Sequence, residues 1–418
     1  MRVSPRAAVL AGLTSLIAPV AYLAPLGLAP LTALAAVLVI GPWWIAAPWF
    51  PVIAAIAAFS LWAAVAMIWS PIRPWAEASS ASSALQHMSA IQFALLMLCA
   101  LFLMNAAEGL TRRHARMAAR CLAFAIVALG AILVCDGLAG AGIYSWLAVR
   151  FQPQITPDLA LIYAARGGYV LAPLLWPAGL ILWLRGHRRL ALIGPCGAVA
   201  TAFLLHQDAP LAALTAGVAA FGLVWADGVV GLSVVGGLSA LYWLAAPWII
   251  NGADAVIDLY ALADRLPPSW RERVDIWIFA AHRVATHPWL GWGMDSSRAF
   301  VPDIPLHPHN AALQVWLELG LPGAVLAALV IAAIFRRLAG LVERDRMLVA
   351  AAAASAAAYQ TIGAFSFGLW QQWWLAVGVL TALAIVLAAR HASWPETQKL
   401  RTSARTSMVS NRVRRPHR

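Results

Sequence analysis

Runs of about twenty apolar residues follow one another along nearly the whole of this 418-residue chain, and that spacing admits few folds besides a bundle of membrane-spanning helices. Hydrophobic residues make up 62% of the chain and charged residues 11%, with a mean hydropathy of +0.78. No water-facing surface covers a globular core from such a mixture, so lipid is the expected solvent. A bilayer core roughly 30 Å thick takes about 20 residues of helix. Windows of that kind fall near 7–26, 28–47, 49–69, 85–106, 117–139, 167–184, 189–206, 210–226, 229–250, 309–335, 347–367 and 371–389. The expectation is an all-α polytopic membrane protein with about twelve transmembrane helices.

Arg2 and Arg6 precede the first apolar run as they would in a signal peptide. That run exceeds a signal's apolar region, however, and a second follows with no convincing cleavage site, so it is read as a retained helix. Cys99, Cys121, Cys135 and Cys196 fall inside expected spans without CxxC spacing; they read as small buried hydrophobes rather than zinc ligands or disulfides. The net charge of +12 is unevenly placed. With both termini cytoplasmic, 21 of the 29 Lys and Arg lie on the cytoplasmic side, in Arg112–Arg120, Arg185–Arg189, Arg336–Arg346 and the tail above all. This positive-inside pattern agrees with an even number of spans and makes the basic tail a topology and lipid-surface signal, not a nucleic-acid site.

The chain thus divides into helices 1–9 over 1–250, an outer loop over 251–308, helices 10–12 over 309–389 and a basic cytoplasmic tail over 390–418. A shorter outer segment, near 140–166, carries Tyr144, Trp146, Arg150, Phe151 and Arg166, a mixture suited to the membrane interface. The long loop is too rich in Trp, Ile and Leu to be disordered, and loops of that length are usually functional. Ser269 followed by Glu272 reads as a capping box, and Val274, Trp277, Ile278, Ala281 and Ala285 recur at helical spacing, which predicts an amphipathic helix. Arg271 and Arg283 on its other faces read equally well as solvated charge. His287-Pro288-Trp289-Leu290-Gly291-Trp292-Gly293 then reads as a tight turn back toward the bilayer.

The densest polar run, His307-Pro308-His309-Asn310, stands where the tenth span begins. Asn310, Gln314 and Glu318 follow at i, i+4 and i+8 and so share one helix face. Such groups turn from lipid into the bundle or a wet cavity, as site residues or as interhelical hydrogen-bonding partners.

Arg273-Val-Asp-Ile-Trp277, Pro288-Trp-Leu-Gly-Trp-Gly293, and His309-Asn310 followed after nine residues by Gly320-Leu-Pro-Gly323 resemble the signature of the O-antigen ligase and polymerase superfamily. Trp69-Ser70-Pro71 and Arg166 are weaker echoes of it. The resemblance implies a bacterial inner-membrane glycosyltransferase with a large periplasmic loop. It would transfer a polysaccharide from an undecaprenyl-diphosphate carrier to an acceptor sugar, which for ligases is the lipid A core. A glycosyl diphosphate already holds a good leaving group, so such an enzyme needs cations for the developing charge and a base for the acceptor hydroxyl. Arginine suits the first role and histidine the second.

On this resemblance Arg273 is assigned to the diphosphate and His309 to the hydroxyl, with Asn310 orienting one or the other. Arg166 is a second phosphate candidate, and His307 competes for the base role. Arg166, Arg271, Asn310, Gln314 and His307 form the expected substrate-binding set. No metal or other cofactor is demanded, and a single displacement inverts the anomeric carbon. The sequence departs from the family where a Ser-Arg pair usually stands: here it reads His206-Gln207-Asp208-Ala209-Pro210, leaving Arg166 or Arg271 to supply the missing charge. A polymerase using the same donor is the nearest alternative. A transporter or flippase would show inverted repeats and mid-membrane ionisable groups, and no clear repeat is seen.

Overall fold

Inside hydrocarbon, a backbone N–H or C=O has no water to bond, so spanning segments satisfy themselves as helices. The computed structural model describes residues 3–41, 49–73 and 88–392. The expected second span beyond 41, the first residues of the expected fourth and the tail from 393 lie outside the described residues. Fifteen α-helices and no strand occur among those described. They are α1 Pro5–Leu23, α2 Leu28–Leu38, α3 Phe50–Val65, α4 Ser89–Glu108, α5 Arg112–Leu138, α6 Gly142–Ala148, α7 Pro157–Leu184 and α8 Arg188–Leu204. After them come α9 Asp208–Ala226, α10 Gly228–Ile257, α11 Leu259–Ala263, α12 Pro268–Thr286, α13 Ala311–Ala339, α14 Arg346–Phe365 and α15 Gln372–Ala392. Ten, with α3 counted together with the 3₁₀ turn that extends it to Ile68, are long and apolar enough to cross a membrane; this is a multi-pass all-α membrane protein. Two of the twelve expected spans are shorter helices, α2 with 11 residues and α8 with 17.

Helix starts follow local chemistry. Thr156, Asp227 and Asp345 accept from backbone N–H groups of the first turns of α7, α10 and α14, as N-caps do. Thr156-Pro157-Asp158 starts α7 ten residues before the expected 167, so Arg166 lies within a helix and not in an outer loop. The long loop is likewise mostly helical: α10 runs past 250 to Ile257, and α11 and α12 follow. The capping box at Ser269 does not form, because Pro267 and Pro268 start α12 earlier. None of the four cysteines is buried, and Cys135 and Cys196 are exposed. In lipid an apolar thiol needs no cover.

Proline interrupts the helices that matter most, and each gap is filled from a neighbour. Pro177, Pro247 and Pro322 have no N–H to give the carbonyl four residues earlier. Ser355 Oγ of α14 donates to the Pro173 carbonyl at 2.9 Å, Trp316 Nε1 of α13 to the Trp243 carbonyl at 2.9 Å, and Gly293 N to the Glu318 carbonyl at 3.0 Å. An unpaired carbonyl in hydrocarbon costs several kcal/mol, so these bonds fix α7, α10 and α13 against their partners. Centrally placed α7 packs on α1, α5, α8, α9, α14 and α15, while α13 packs on α3, α10, α12 and α14. The start of α7, the start of α13 and the end of α14 meet at one end of the bundle. The arginine-rich ends of those helices lie at the other.

Candidate active site

The loop after α12 is locked into a break in α13. Gly320 takes φ 63°, ψ −161°, a conformation open to glycine and not to a β-carbon, and this splits the helix. The carbonyls so released are taken up by the loop and by α3. Trp292 N donates to the Leu317 carbonyl at 2.8 Å and Leu321 N to the Pro288 carbonyl at 2.9 Å, while Trp62 Nε1 donates to the Leu319 carbonyl at 2.9 Å. Gly291 and Gly320 touch backbone to backbone: a Cβ on Gly291 would lie 2.7 Å from Gly320 N, and one on Gly320 would lie 2.5 Å from the Trp289 carbonyl oxygen. The glycines of the two motif segments therefore serve one joint.

Below that joint runs a buried polar chain. Glu318, with no exposed surface, accepts from Gln314 Nε2 at 3.0 Å, Trp370 Nε1 at 2.6 Å and Asp295 N at 3.0 Å. Gln314 Oε1 accepts from Leu369 N at 2.8 Å, and Asp295 Oδ1 from Ser89 Oγ at 2.8 Å. Asn310 caps α13 through Leu313 N at 3.0 Å and accepts from the Tyr242 hydroxyl at 3.0 Å. Asn310, Gln314 and Glu318 do face inward as their spacing requires, but Gln314 and Glu318 bond to each other, to Asp295 and to the loop over 366–371, and Asn310 Oδ1 is taken by Leu313 and Tyr242.

Bonding distinguishes the two histidines. His309 sits at φ 53°, and its Nδ1 lies 2.8 Å from the Ser366 carbonyl oxygen. A carbonyl only accepts, so Nδ1 carries the proton and Nε2 holds a lone pair. No bond to Nε2 occurs among the described residues. His307 Nδ1 instead accepts from His309 N at 3.1 Å, which puts the His307 proton on Nε2, 2.6 Å from the Gln371 amide. The amide must then present its oxygen there, which also gives the otherwise unpartnered Gln371 Oε1 its bond. His307 is thereby filled, and only His309 retains a lone pair. Burial lowers the pKa of both. His307 is held at about 3 by burial and then by His309, Arg298 and Arg273. For His309, burial outweighs the Ser366 bond, which raises the value, and Arg273 lowers it further.

Arg273 thus stands close enough to His309 for its charge to act there. Its Nη1 donates to the Ser269 carbonyl at 3.1 Å, its guanidinium lies 5.3 Å from the Trp270 ring, and its buried Nε has no partner. It makes no ion pair among the described residues. Trp270 Nε1 donates to Asp208 Oδ2 at 2.6 Å, so the segment that departs from the family pattern supports the ring on which Arg273 rests. Arg273, Asp208 and Arg166 all act electrostatically on Tyr169, and Arg166 stacks on Tyr163 at 4.7 Å. Arg166 and Arg273 thus both lie within electrostatic reach of Tyr169, and Arg273 within reach of His309. Arg271 instead pairs with Asp264 at 2.8 Å on the exposed side of α12. Among the described residues no group of three or more His, Cys, Asp or Glu is placed to hold a metal ion.

The model of the O-antigen ligase family matches residues 159–328, which include Arg166, Arg273, both histidines and the glycine joint. Over this stretch the chain is similar to the O-antigen ligase family. Provisionally named polysaccharide ligases of Rickettsia conorii, Rickettsia prowazekii and Rickettsia typhi are similar to it at 29%, 33% and 32% identity. These likenesses cover 29%, 27% and 27% of this chain and 33%, 31% and 31% of the relatives, so the chain spans about a third of the length of the curated relatives it matches. No solved structure matches.

One wall of this candidate site lies beyond the matched stretch. Ser366, Leu369, Trp370 and Gln371, between α14 and α15, hold His309, Gln314, Glu318 and His307 in turn. Sequence reading passed over them, as it did Tyr169, Tyr242 and Asp295. The available signal was slight: Trp370-Gln371-Gln372-Trp373-Trp374 is a polar and tryptophan-rich hinge between two apolar runs, the composition of a membrane interface.

Proposed function

We propose that this protein is a lipid-diphosphate-dependent glycosyltransferase of the ligase type. It works at the periplasmic face of a bacterial inner membrane, with both termini in the cytoplasm. The donor is a polysaccharide on undecaprenyl diphosphate and the acceptor is the lipid A core. His309 Nε2 takes the proton of the acceptor hydroxyl as its oxygen bonds to the anomeric carbon. The bond from that carbon to the diphosphate oxygen breaks, and its electron pair leaves with undecaprenyl diphosphate. Arg273 and Arg166 hold the growing negative charge, for which the guanidinium fork is suited. Attack in a single step from the face opposite the leaving group inverts the anomeric centre.

The observation that carries this reading is the spare lone pair of His309 beside an arginine with no carboxylate partner. Burial keeps the imidazole neutral at physiological pH and ready to accept a proton. The test is transfer in vitro by purified protein, with lipid-linked donor and core acceptor, in the presence of a chelator. Product from wild type, with loss in His309→Asn and Arg273→Gln, is the expected result; undiminished transfer by both variants overturns it. In cells, deletion leaving long carrier-linked glycan and bare core marks a ligase, whereas loss of the long chains themselves marks a polymerase.

A further inference from the structure

A second gathering of cations lies at the end of the bundle remote from His309. Arg116 and Arg120 stand one turn apart near the start of α5, Arg185 follows the end of α7, and His391 closes α15. These three helices pack on one another. Nineteen residues of α7 separate Arg166 from Arg185, about 28 Å at the rise of an α-helix, which is close to the thickness of a hydrocarbon core.

Among the described residues the four side chains interact without an acidic partner. Burial and then Arg120 and Arg116 push the pKa of Arg185 down, and Arg185 and Arg116 act in turn on His391. The ion pairs among the described residues, Arg271–Asp264 and Arg298–Asp295, are both at the other end. Arg185 Nε and His391 Nδ1 are buried with no hydrogen-bond partner among the described residues. Like charges held together, partly out of water and with polar atoms unfilled, form a place for an anion.

An open groove adjoins them. About 440 Å³ in volume, it is lined by Ser15, Met117, Arg120, Cys121, Phe124 and Ala125, so its walls are largely apolar with a guanidinium among them. The Phe124 ring lies 6.0 Å from that of His187, two residues beyond Arg185, which brings the groove and the cations together.

We propose that this end of the bundle holds one anionic phospholipid, its headgroup phosphate on Arg116, Arg120, Arg185 and His391 and an acyl chain in the groove between α1 and α5. Basic pockets between spanning helices commonly take such headgroups. The groove distinguishes a lipid from a free phosphate, because only a lipid fills both halves of the site. The proposal does not depend on glycosyl transfer.

Native mass spectrometry of the purified protein, titrated with phosphatidylglycerol or phosphatidylcholine, tests it. Wild type is expected to retain one phosphatidylglycerol in preference to phosphatidylcholine. The double variant Arg120→Gln, Arg185→Gln should lose about tenfold in affinity for phosphatidylglycerol, whereas Arg336→Gln, a cation on another helix, should keep it. Met117→Trp, which fills the groove without changing charge, should weaken retention too, and it decides the matter if the double variant does not fold. Equal retention of the two lipids, or an unchanged preference in both the double variant and Met117→Trp, overturns the proposal. So does loss of the preference to excess inorganic phosphate, which would mark a free-anion site.

Discussion

Two polar regions a few residues apart along α13 and its approach differ in how far their bonding is complete. In the inner one, Gln314, Glu318, Asp295 and Ser89 pass hydrogen bonds from helix to loop to helix, and the Glu318 carboxylate has three donors. In the outer one, among the described residues, His309 keeps a lone pair on Nε2, and Arg273 keeps a guanidinium without a carboxylate. Both regions are rich in polar groups, and the first looks as functional as the second when read along the chain. The difference teaches that unspent bonding capacity, rather than polarity, separates a site from its support. The inner chain holds the loop that carries Ser366, and Ser366 sets the tautomer of His309.

The comparison is broken most directly at His309. His309→Asn tolerates the positive φ and should lower transfer by about 10²–10⁴-fold, the usual contribution of a general base, with little change in thermal stability. A variant that unfolds while its remaining folded fraction keeps the wild-type rate would move His309 into the supporting class. Glu318→Ala should do the reverse. It leaves Gln314, Trp370 and Asp295 N–H groups unpaired in a dry interior and should cost about 3 kcal/mol of stability, read as a lower melting temperature in detergent. Full stability in this variant would mean that the inner chain supports nothing.

Gly320→Ala sharpens the same point through the backbone. A β-carbon would meet the Trp289 carbonyl oxygen at 2.5 Å, at a φ of 63°, and a loss of about 2–3 kcal/mol is expected from strain and overpacking. Acid should separate the regions without mutation. Because the pKa of His309 is lowered, its base form persists below the ordinary value near 6.5, and the acid limb of a kcat/KM profile should lie under that value. His307, at about 3 when folded, takes up a proton near 6.5 when unfolded, so stability is complete above that value and falls as pH drops from there toward 3. A rate profile centred at or above 6.5 contradicts the assignment of the base. The smallest effect belongs to Arg271→Gln: its exposed pair with Asp264 should contribute under about 1 kcal/mol, and transfer should change less than twofold.

Much of this was legible in the chain. The apolar runs gave the helices, because lipid leaves the backbone no other partner, and the spacing of Asn310, Gln314 and Glu318 gave their shared face. The motif glycines could be noticed but not explained, since Gly291 and Gly320 act by touching each other across 29 positions of sequence. The start of α7 was written in Thr156-Pro157-Asp158 and overlooked because hydropathy alone was followed there.

The sequence by itself determined the solvent, the helical class, the residues available for chemistry and the arginine-rich ends of the helices. All of these follow from composition and from periodicity within a single helix. Only the tertiary structure distinguishes the bonding of His307 from that of His309. Their residue type and neighbourhood are nearly the same, and the difference lies in which atoms face them: a backbone carbonyl at Ser366 in one case, an N–H and the Gln371 amide in the other. It also decided that Arg273 stays unpaired while Arg271, two residues earlier, is neutralised, because two positions along an α-helix turn a side chain about 200° around the axis.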